Sequence, residues 1–217
     1  MSLFHQPIEQ AMDEYELRAY QRGFKVVAGI DEAGRGPLAG PVVAAAVVFP
    51  ADYRNPEIRD SKQLSPKQRE RLYKVLKNDA VAVGLSVIEA SIIDKINILQ
   101  ASLLAMKEAV LNLSIPADYL LIDGNKRIHI STEQETIVNG DNLCLSIAAA
   151  SIIAKVSRDR IMEIYHRQYP QYNFLSNKGY GTREHREAIK VHGCCKIHRQ
   201  SFKPVKDSFQ GDLILSD

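Results

Sequence analysis

The amino-acid sequence predicts an α/β fold, in which helices flank a mixed β-sheet and a small helical appendage follows at the C-terminal end. Two short apolar runs near the start of the chain are typical of strands, and later strands alternate with long helical patterns. The segment after about residue 170 is basic and aromatic, with too little apolar content for a core of its own. We therefore expect an N-terminal helical extension over 1–24, a main domain over 25–170 and a C-terminal appendage over 171–217.

Capping residues and hydrophobic periodicity define the elements in order. Pro7 suits the first turn of a helix that Gly23 ends, and Pro50 ends the second strand. Ser65 followed by Gln68 is typical of a capped helix start. The predicted elements are a helix over 7–22, strands over 25–30 and 42–49, a helix over 65–78, a strand over 81–88, a helix over 91–113 that could break near Asn97, strands over 119–123 and 136–138, a helix over 143–169 that begins with small residues, and a helix over 182–192.

The composition excludes several classes of protein. With 45% hydrophobic and 25% charged residues and a mean hydropathy of −0.20, the chain is neither disordered nor fibrous. It has no apolar stretch of about 18 residues that would span a membrane, and its N-terminus lacks the features of a secretory signal. Three cysteines, two of them adjacent, give no disulfide framework and agree with a reducing compartment, so we expect a cytoplasmic protein.

The charge is unevenly distributed along the chain. Residues 155–206 contain 12 lysines and arginines and four acidic residues, a net charge of +8, whereas the whole chain has a net charge of +2. Tyrosines and phenylalanines are interspersed with these basic residues, which suits phosphate backbones and stacking surfaces. On charge alone, the solvated face of an ordinary helical subdomain explains the segment equally well.

Four acidic residues occupy positions typical of a metal site. Asp31 and Glu32 directly follow a predicted strand, Asp123 ends another strand, and Asp141 lies at a turn before the longest helix. Carboxylates at strand ends project from the rim of a sheet, where open α/β folds keep their ligand sites. If the strands bring them together, Mg²⁺ or Mn²⁺ would relieve their repulsion. Two such ions about 4 Å apart could activate water for phosphodiester hydrolysis.

Each acid also has a purely structural explanation, as the cap of a turn or a helix. Asp123 and Gly124 form a common turn pair, and Asp141 could cap the following helix. For a single acid the structural explanation is favoured. For Asp31 and Glu32, two adjacent acids before a glycine-rich loop, the functional interpretation is favoured.

The glycine-rich loop is the second feature. Gly34, Gly36 and Gly40 would let the backbone approach a ligand closely, and Arg35 could contact a phosphate. The spacing G-x-G-x-x-x-G differs from the dinucleotide-binding pattern, and a strand rather than a helix follows it. A nucleotide cofactor is therefore not indicated.

A third set of residues is basic or hydroxylic. Ser61 and Lys62 belong to the segment DSK at 60–62, Lys155 lies in the longest helix, and Tyr180 stands between two glycines. Lysines near the acidic rim could hold flanking phosphates. Tyr180 could lie against a sugar or a base, or could merely pack the appendage onto the main domain.

A cluster of potential zinc ligands follows the last predicted helix. His192, Cys194, Cys195 and His198 lack the spacing of paired cysteines that zinc motifs show, and no second pair exists. We therefore do not expect a zinc site. His198 and Arg199 are expected to add to the basic face.

These motifs together resemble the signature of the type 2 ribonucleases H, specifically the bacterial ribonuclease HII family. The resemblance runs in order through residues 25–203. It is carried by GIDEAGRGPLAGP at 29–41, DSK at 60–62, IDG at 122–124, GD at 140–141, AAASIIAKVSRD at 148–159, KGYGT at 178–182 and HRQSF at 198–202.

The resemblance implies a ribonuclease H-like fold, with 25–170 as the catalytic domain, and an activity. It implies an endonuclease that hydrolyses the RNA strand of RNA–DNA hybrids and cuts at ribonucleotides embedded in duplex DNA. Such enzymes leave 3′-hydroxyl and 5′-phosphate ends and require Mn²⁺ or Mg²⁺.

The resemblance also implies roles for particular residues. The expected catalytic and metal-binding acids are Asp31, Glu32, Asp123 and Asp141. The expected substrate-binding residues are Gly34, Arg35 and Gly36, which would read the ribose 2′-hydroxyl, Tyr180, which would stack on the sugar at the RNA–DNA junction, and Ser61, Lys62 and Lys155. Asp159 is a rival for the fourth acid, but its place deep in a helix beside Arg158 and Arg160 predicts ion pairing instead.

The expected partners are RNA–DNA hybrids and ribonucleotide-containing DNA duplexes, with no membrane contact, and the protein is expected to be a monomer. The sister family, ribonuclease HIII, carries an extra N-terminal domain, whereas only 24 residues precede the first predicted strand here, which favours HII. The segment QGDLI, from Gln210 to Ile214, loosely resembles a sliding-clamp binding peptide, a pattern that often recurs by chance.

Two other functions remain open at this point. The chain could be a non-catalytic nucleic-acid binder whose acids are structural, or another two-metal nuclease, such as a junction resolvase, on a similar fold.

Overall fold

A computed structural model describes residues 13–58 and 61–210 and confirms the predicted architecture: a mixed five-stranded sheet with helices on both faces. The strands are β1 (Val27–Ala33), β2 (Val42–Val48), β3 (Ala82–Ile88), β4 (Tyr119–Asp123) and β5 (Glu133–Ile137). The helices are α1 (Glu14–Gln21), α2 (Pro66–Asp79), α3 (Ala90–Leu111), α4 (Leu145–Gln168), α5 (Phe174–Asn177), α6 (Arg183–His192) and α7 (Lys203–Gln210).

The strand order is β3-β2-β1-β4-β5, and this order positions the acidic residues. β1 pairs antiparallel with β2 and parallel with β4, with Ile30 level with Ile122. Asp31 and Asp123 are the residues that follow Ile30 and Ile122 on the two strands. Because neighbouring parallel strands end at the same edge of a sheet, the two acids lie side by side.

Two layers of helices cover the sheet. α3 packs on one face, against residues such as Ala44 and Ile122, and α4 and α2 pack on the other, against Ala45 and Val47. α4 lies directly on β1, since a Cβ atom on Gly29 would stand 2.3 Å from the backbone of Ser146. The small residues at the start of α4 allow this approach, as expected.

Local signals in two helices act as the sequence indicates. Ser65 caps α2: its Oγ accepts the N–H of Gln68 at 3.3 Å, and Gln68 Oε1 accepts the N–H of Ser65 at 2.9 Å. α3 breaks at Asn97, whose φ is 65°. The side chain of Asn97 then accepts the N–H groups of Leu99 and Gln100, which restarts the helix.

Three predicted boundaries need correction or fall outside the described chain. β1 continues to Ala33 because β2 still pairs with it there, so Asp31 and Glu32 lie within the strand rather than after it. β5 begins at Glu133, not at 136, because an edge strand with polar residues shows little apolar signal. The described part of the first helix is Glu14–Gln21, and residues 7–12 lie outside the described ranges.

The C-terminal helices pack onto the main domain. Leu38, Ala39 and Met162 of the main domain share one apolar cluster with Tyr172, Phe174 and other appendage residues. This packing agrees with an appendage that lacks its own core, although the boundaries at 24 and 170 stay predictions. Within the described ranges, no helix has the length and apolarity needed to cross a bilayer.

Candidate active site

A cleft of about 300 Å³ opens at the edge of the sheet where β1 and β4 end. Ten of the eleven predicted site residues line it, together with Ala33, Arg69 and Ser151. The eleventh, Asp141, lies beside it, and its Oδ2 accepts a hydrogen bond at 3.0 Å from the Lys62 ammonium. Residues 90 or more positions apart along the chain therefore meet in one place.

Asp31 is buried at the floor of the cleft's acidic group and is held by two donors. Only 6% of the residue is exposed, and its Oδ1 accepts the N–H of Glu32 at 2.7 Å. The Ser151 hydroxyl also bonds to this carboxylate and lies 2.9 Å from the Ser61 hydroxyl. Burial raises the pKa of Asp31 well above its usual range, and the charges of Glu32 and Asp123 raise it further.

Glu32 has one satisfied and one unsatisfied oxygen. Arg35 donates to its Oε1 at 3.2 Å, while its buried Oε2 has no hydrogen-bond partner among the described residues. Burial raises the pKa of Glu32, Arg35 opposes this shift, and the charge of Asp123 adds to it. A buried, unpaired carboxylate oxygen is unfavourable unless something else binds it.

Asp123 and Asp141 come together because the turn before α4 folds back onto the end of β4. The Oδ1 atom of Asp123 accepts the N–H of Gly140 at 2.8 Å. Burial raises the pKa of Asp123, the bond from Gly140 opposes this, Asp141 raises it and Lys62 lowers it. The short helix Gly140–Asn142 thereby places the fourth acid next to the third.

The four acids interact electrostatically, but each is held by its own donor. Across the described ranges, no group of three or more histidine, cysteine, aspartate or glutamate side chains is arranged to hold a metal ion. Their hard oxygen donors, mutual repulsion and the unpaired oxygen of Glu32 nevertheless fit a divalent cation such as Mg²⁺ or Mn²⁺.

Lys155 reaches the cleft wall while paired with Asp159 at 2.6 Å. This corrects the expected partners of Asp159, because Arg160 pairs with Glu70 and Arg158 binds backbone carbonyl groups instead. Spacing explains the difference: residues four apart face each other on a helix, whereas neighbours in sequence do not.

Tyr180 is 46% exposed and lies where the cleft meets a larger groove of about 690 Å³. The groove shares Arg69 and Lys155 with the cleft and adds basic residues such as Lys67 and Lys178. The ring of Tyr180 is thus accessible to a ligand, and its role in substrate binding stays a prediction.

A buried pair of histidines lies behind Tyr180. His185 Nδ1 is 2.9 Å from the Tyr180 carbonyl oxygen, and His185 Nε2 is 3.0 Å from His198 Nε2. His198 Nδ1 accepts the N–H of Cys195 at 2.9 Å. The expectation that His198 and Arg199 add to the basic face is therefore wrong, because both are buried by apolar neighbours.

Sequence reasoning missed Arg69 and Ser151 as residues of the cleft. The Arg69 guanidinium holds the Ser61 carbonyl oxygen at 2.8 Å, and Ser151 joins Ser61 to Asp31. Ser151 lies within the segment of small residues in α4, which was interpreted only as a packing surface. Arg69 carried no signal beyond its position one turn after a helix cap.

Comparison with known proteins gives a consistent result. The family model for Ribonuclease HII matches residues 28–205. The ribonuclease HII of Syntrophus aciditrophicus is 66% identical over 192 residues, which are 88% of this chain and 91% of that protein. The ribonuclease HII of Endomicrobium trichonymphae is 55% identical over 194 residues, 89% of this chain and 92% of that protein.

Solved structures share the fold. Ribonuclease H2 from Pyrococcus horikoshii is 25% identical, with a TM-score of 0.73 over 86% of this chain and 98% of that one. Ribonuclease HII from Archaeoglobus fulgidus, solved in complex with PCNA, is 24% identical, with a TM-score of 0.69 over 82% and 95%. Bst ribonuclease HIII, solved with Mn²⁺, is 18% identical, with a TM-score of 0.67 over 97% and 75%. The family match, the close relatives and the shared fold together show that the chain belongs to the ribonuclease HII family of metal-dependent nucleases.

Proposed function

We propose that this protein is an endonuclease that hydrolyses the RNA strand of RNA–DNA hybrids and cuts at ribonucleotides embedded in duplex DNA. One observation carries the proposal: Asp31, Glu32 and Asp123 line the same cleft as the glycine-rich loop and Tyr180. Acids suited to divalent cations therefore stand beside groups suited to a sugar.

The four acids would hold Mg²⁺ or Mn²⁺. Two bound metal ions would supply Lewis acidity that activates water and stabilises the leaving oxygen of a phosphodiester. Such hydrolysis would give 3′-hydroxyl and 5′-phosphate ends. Glu32 Oε2, which is buried without a partner among the described residues, would gain one on metal binding. The cation would also relieve the repulsion that raises the pKa of Asp31.

The remaining cleft residues would bind and orient the substrate. Backbone groups of Gly34, Arg35 and Gly36 would contact the ribose 2′-hydroxyl, which is the chemical difference between RNA and DNA. Tyr180 would stack on the sugar at the junction. Lys62 and Lys155 would attract the flanking phosphates, while Ser61 holds Ser151 against Asp31.

The direct test incubates the protein with a DNA duplex that holds one ribonucleotide, with an all-DNA duplex and with an all-DNA junction, each with and without Mn²⁺. We expect cleavage at the ribonucleotide only with the metal, and no cleavage of an all-DNA duplex. Asp123→Asn should abolish cleavage, whereas Asp52→Asn, which changes an exposed acid on the surface, should not. Binding without cleavage would favour a non-catalytic binder, and cutting of all-DNA junctions would favour a junction nuclease.

Clamp binding through Gln210 to Ile214 stays a prediction, because the side chain of Gln210 and residues 211–217 lie outside the described part. The Archaeoglobus fulgidus complex with PCNA supports asking the question. A pull-down with a sliding clamp, repeated after removal of residues 209–217, would answer it. A monomeric state and a cytoplasmic location likewise stay predictions.

A further inference from the structure

Two buried arginines lie beneath the glycine-rich loop. Arg158, on α4, and Arg199, in the segment before α7, are 1% and 0% exposed. Neither forms a salt bridge with another described residue, and both donate to backbone carbonyl oxygens instead. Because a buried charge is costly unless it is well bonded, two such groups at one loop point to a specific task.

Arg199 controls the direction of two peptide groups in the loop. Its guanidinium donates to the carbonyl oxygens of Gly34 at 2.5 Å, Arg35 at 2.9 Å and Gly40 at 2.9 Å. A trans peptide unit is planar, so its C=O and N–H point in opposite directions. The N–H groups of Arg35 and Gly36 therefore point away from Arg199, and both residues line the cleft.

Arg158 joins the same loop to the segment that carries Tyr180. It donates to the carbonyl oxygens of Ala39 at 3.1 Å and Pro41 at 2.9 Å, and to that of Lys178 at 3.0 Å. The N–H of Leu38 adds a bond to the Gly179 carbonyl oxygen at 2.8 Å. The loop and the backbone next to Tyr180 are thus held as one unit.

The glycines show which side of the loop needs space. A Cβ atom on Gly34, whose φ is 102°, would lie 2.2 Å from Arg158 Nε, and one on Gly40 would lie 2.3 Å from Met162 Sδ. A Cβ atom on Gly36 would meet only the Tyr180 ring, at 3.6 Å. The space that a Cβ would take at Gly34 and Gly40 is therefore filled by the protein's own side chains, whereas at Gly36 it is open next to Tyr180.

We propose that Arg199 and Arg158 are positioning residues for ribose recognition. They bind the carbonyl groups on the inner side of the loop and so present the Arg35 and Gly36 amides, beside Tyr180, to the 2′-hydroxyl. This inference rests on the proposed function. Lysine cannot replace either arginine, because one ammonium group cannot span three separated carbonyl oxygens as a planar guanidinium does.

Both guanidinium groups remain protonated at neutral pH. Burial lowers the pKa of Arg199 to about 9 and that of Arg158 to about 10, which is still well above neutrality. All of their donors are therefore available under ordinary conditions.

The experiment compares Arg199→Ala with Arg71→Ala, which removes an exposed arginine of α2 that is paired only at the surface with Glu57. The substrates are a duplex with one ribonucleotide, cut in the presence of Mn²⁺, and an all-DNA duplex, bound without metal. For Arg199→Ala we expect kcat/KM to fall about 100-fold while affinity for the all-DNA duplex is unchanged. Arg71→Ala should match the wild type in both assays.

Chemical rescue separates positioning from general damage. Free guanidinium, added well below the concentrations that unfold the protein, should restore part of the activity of Arg199→Ala. It should not restore that of Arg199→Lys, which fills the space without the fork of donors. An Arg199→Ala enzyme that cuts at the wild-type rate would overturn the proposal, as would parallel loss of cleavage and of all-DNA binding in a folded variant.

A measurement on the wild type decides the matter if Arg199→Ala does not fold. NMR-detected hydrogen exchange should find the Arg35 and Gly36 amides unprotected in the free protein and protected by the ribonucleotide duplex but not by the all-DNA duplex. Protection of these amides in the free protein would sink the inference. Failure of the wild type to cut any ribonucleotide-containing duplex would instead refute the proposed function, whatever the amides show.

Discussion

The buried histidine pair predicts a specific loss of stability in acid. Cys195 donates its N–H to His198 Nδ1, so neutral His198 carries its proton on Nε2 and donates to His185 Nε2. His185 then carries its proton on Nδ1 and donates to the Tyr180 carbonyl oxygen. A further proton on either ring would place two donors against each other. The pair is therefore stable only when both rings are neutral.

The magnitude follows from the pKa of His198. Burial, and then the neighbouring His185, lower this pKa from 6.5 to about 4, and burial also lowers the pKa of His185. Because the unfolded chain binds the proton first, the contribution of His198 is complete above pH 6.5 and is lost as the pH falls to about 4. Between pH 7 and pH 4 the loss amounts to about 3 kcal/mol of unfolding free energy.

The assay is urea unfolding followed by circular dichroism at both pH values. His198→Gln cannot titrate at this position, so its unfolding free energy should fall by about 3 kcal/mol less than that of the wild type. His129→Gln, which removes an exposed histidine, should behave as the wild type does. Equal losses in the wild type and His198→Gln, or an NMR titration that places the His198 pKa near 6.5, would refute the reasoning.

Three further predictions concern the cleft and its loop. Asp31→Asn should abolish cleavage but keep substrate binding in the absence of metal. It should also raise the melting temperature, because a neutral amide avoids the buried charge and the repulsion that raise the pKa of Asp31. A variant that is active, or less stable than the wild type, would contradict this. Tyr180→Ala should reduce cleavage at the junction about tenfold or more while changing all-DNA affinity little, and equal losses in both assays would show a structural role. Gly34→Ala should lower the unfolding free energy, measured by chemical denaturation, by about 1–3 kcal/mol more than Gly23→Ala does. Both glycines have a positive φ, but only at Gly34 would the new Cβ meet Arg158. Equal losses would show that the strained φ alone is responsible.

Much of the fold could be predicted because its signals are local. The valine-rich run that forms β2, the Ser65 cap of α2 and the break at Asn97 each depend on neighbouring residues. The edge strand β5 was predicted only over its last residues, since its polar side chains hide the alternation that marks a strand. Helix α7 was not predicted at all.

The site was less accessible to prediction from sequence, because its geometry depends on contacts between distant segments. Strand ends predicted that Asp31 and Asp123 would meet, and the structure brings them to one cleft. Nothing near Arg158 or Arg199 in the sequence indicates that their partners would be carbonyl oxygens of the loop at 34–41. The sequence predicts that Arg199 adds to a basic surface and that Arg158 pairs with Asp159, whereas the fold buries both arginines and gives them backbone acceptors.

The span of the Arg199 contacts has a consequence for protein synthesis. Its guanidinium bonds to Gly34, 165 residues earlier in the chain. At translation rates of about 5–20 residues per second, the loop is made roughly 8–33 s before the arginine that holds it. All four candidate acids precede that arginine as well, so a nascent chain contains them before it contains the proposed anchor of the loop. A truncated chain that ends before residue 199 would thus carry the acids and the loop without the arginine that holds the loop.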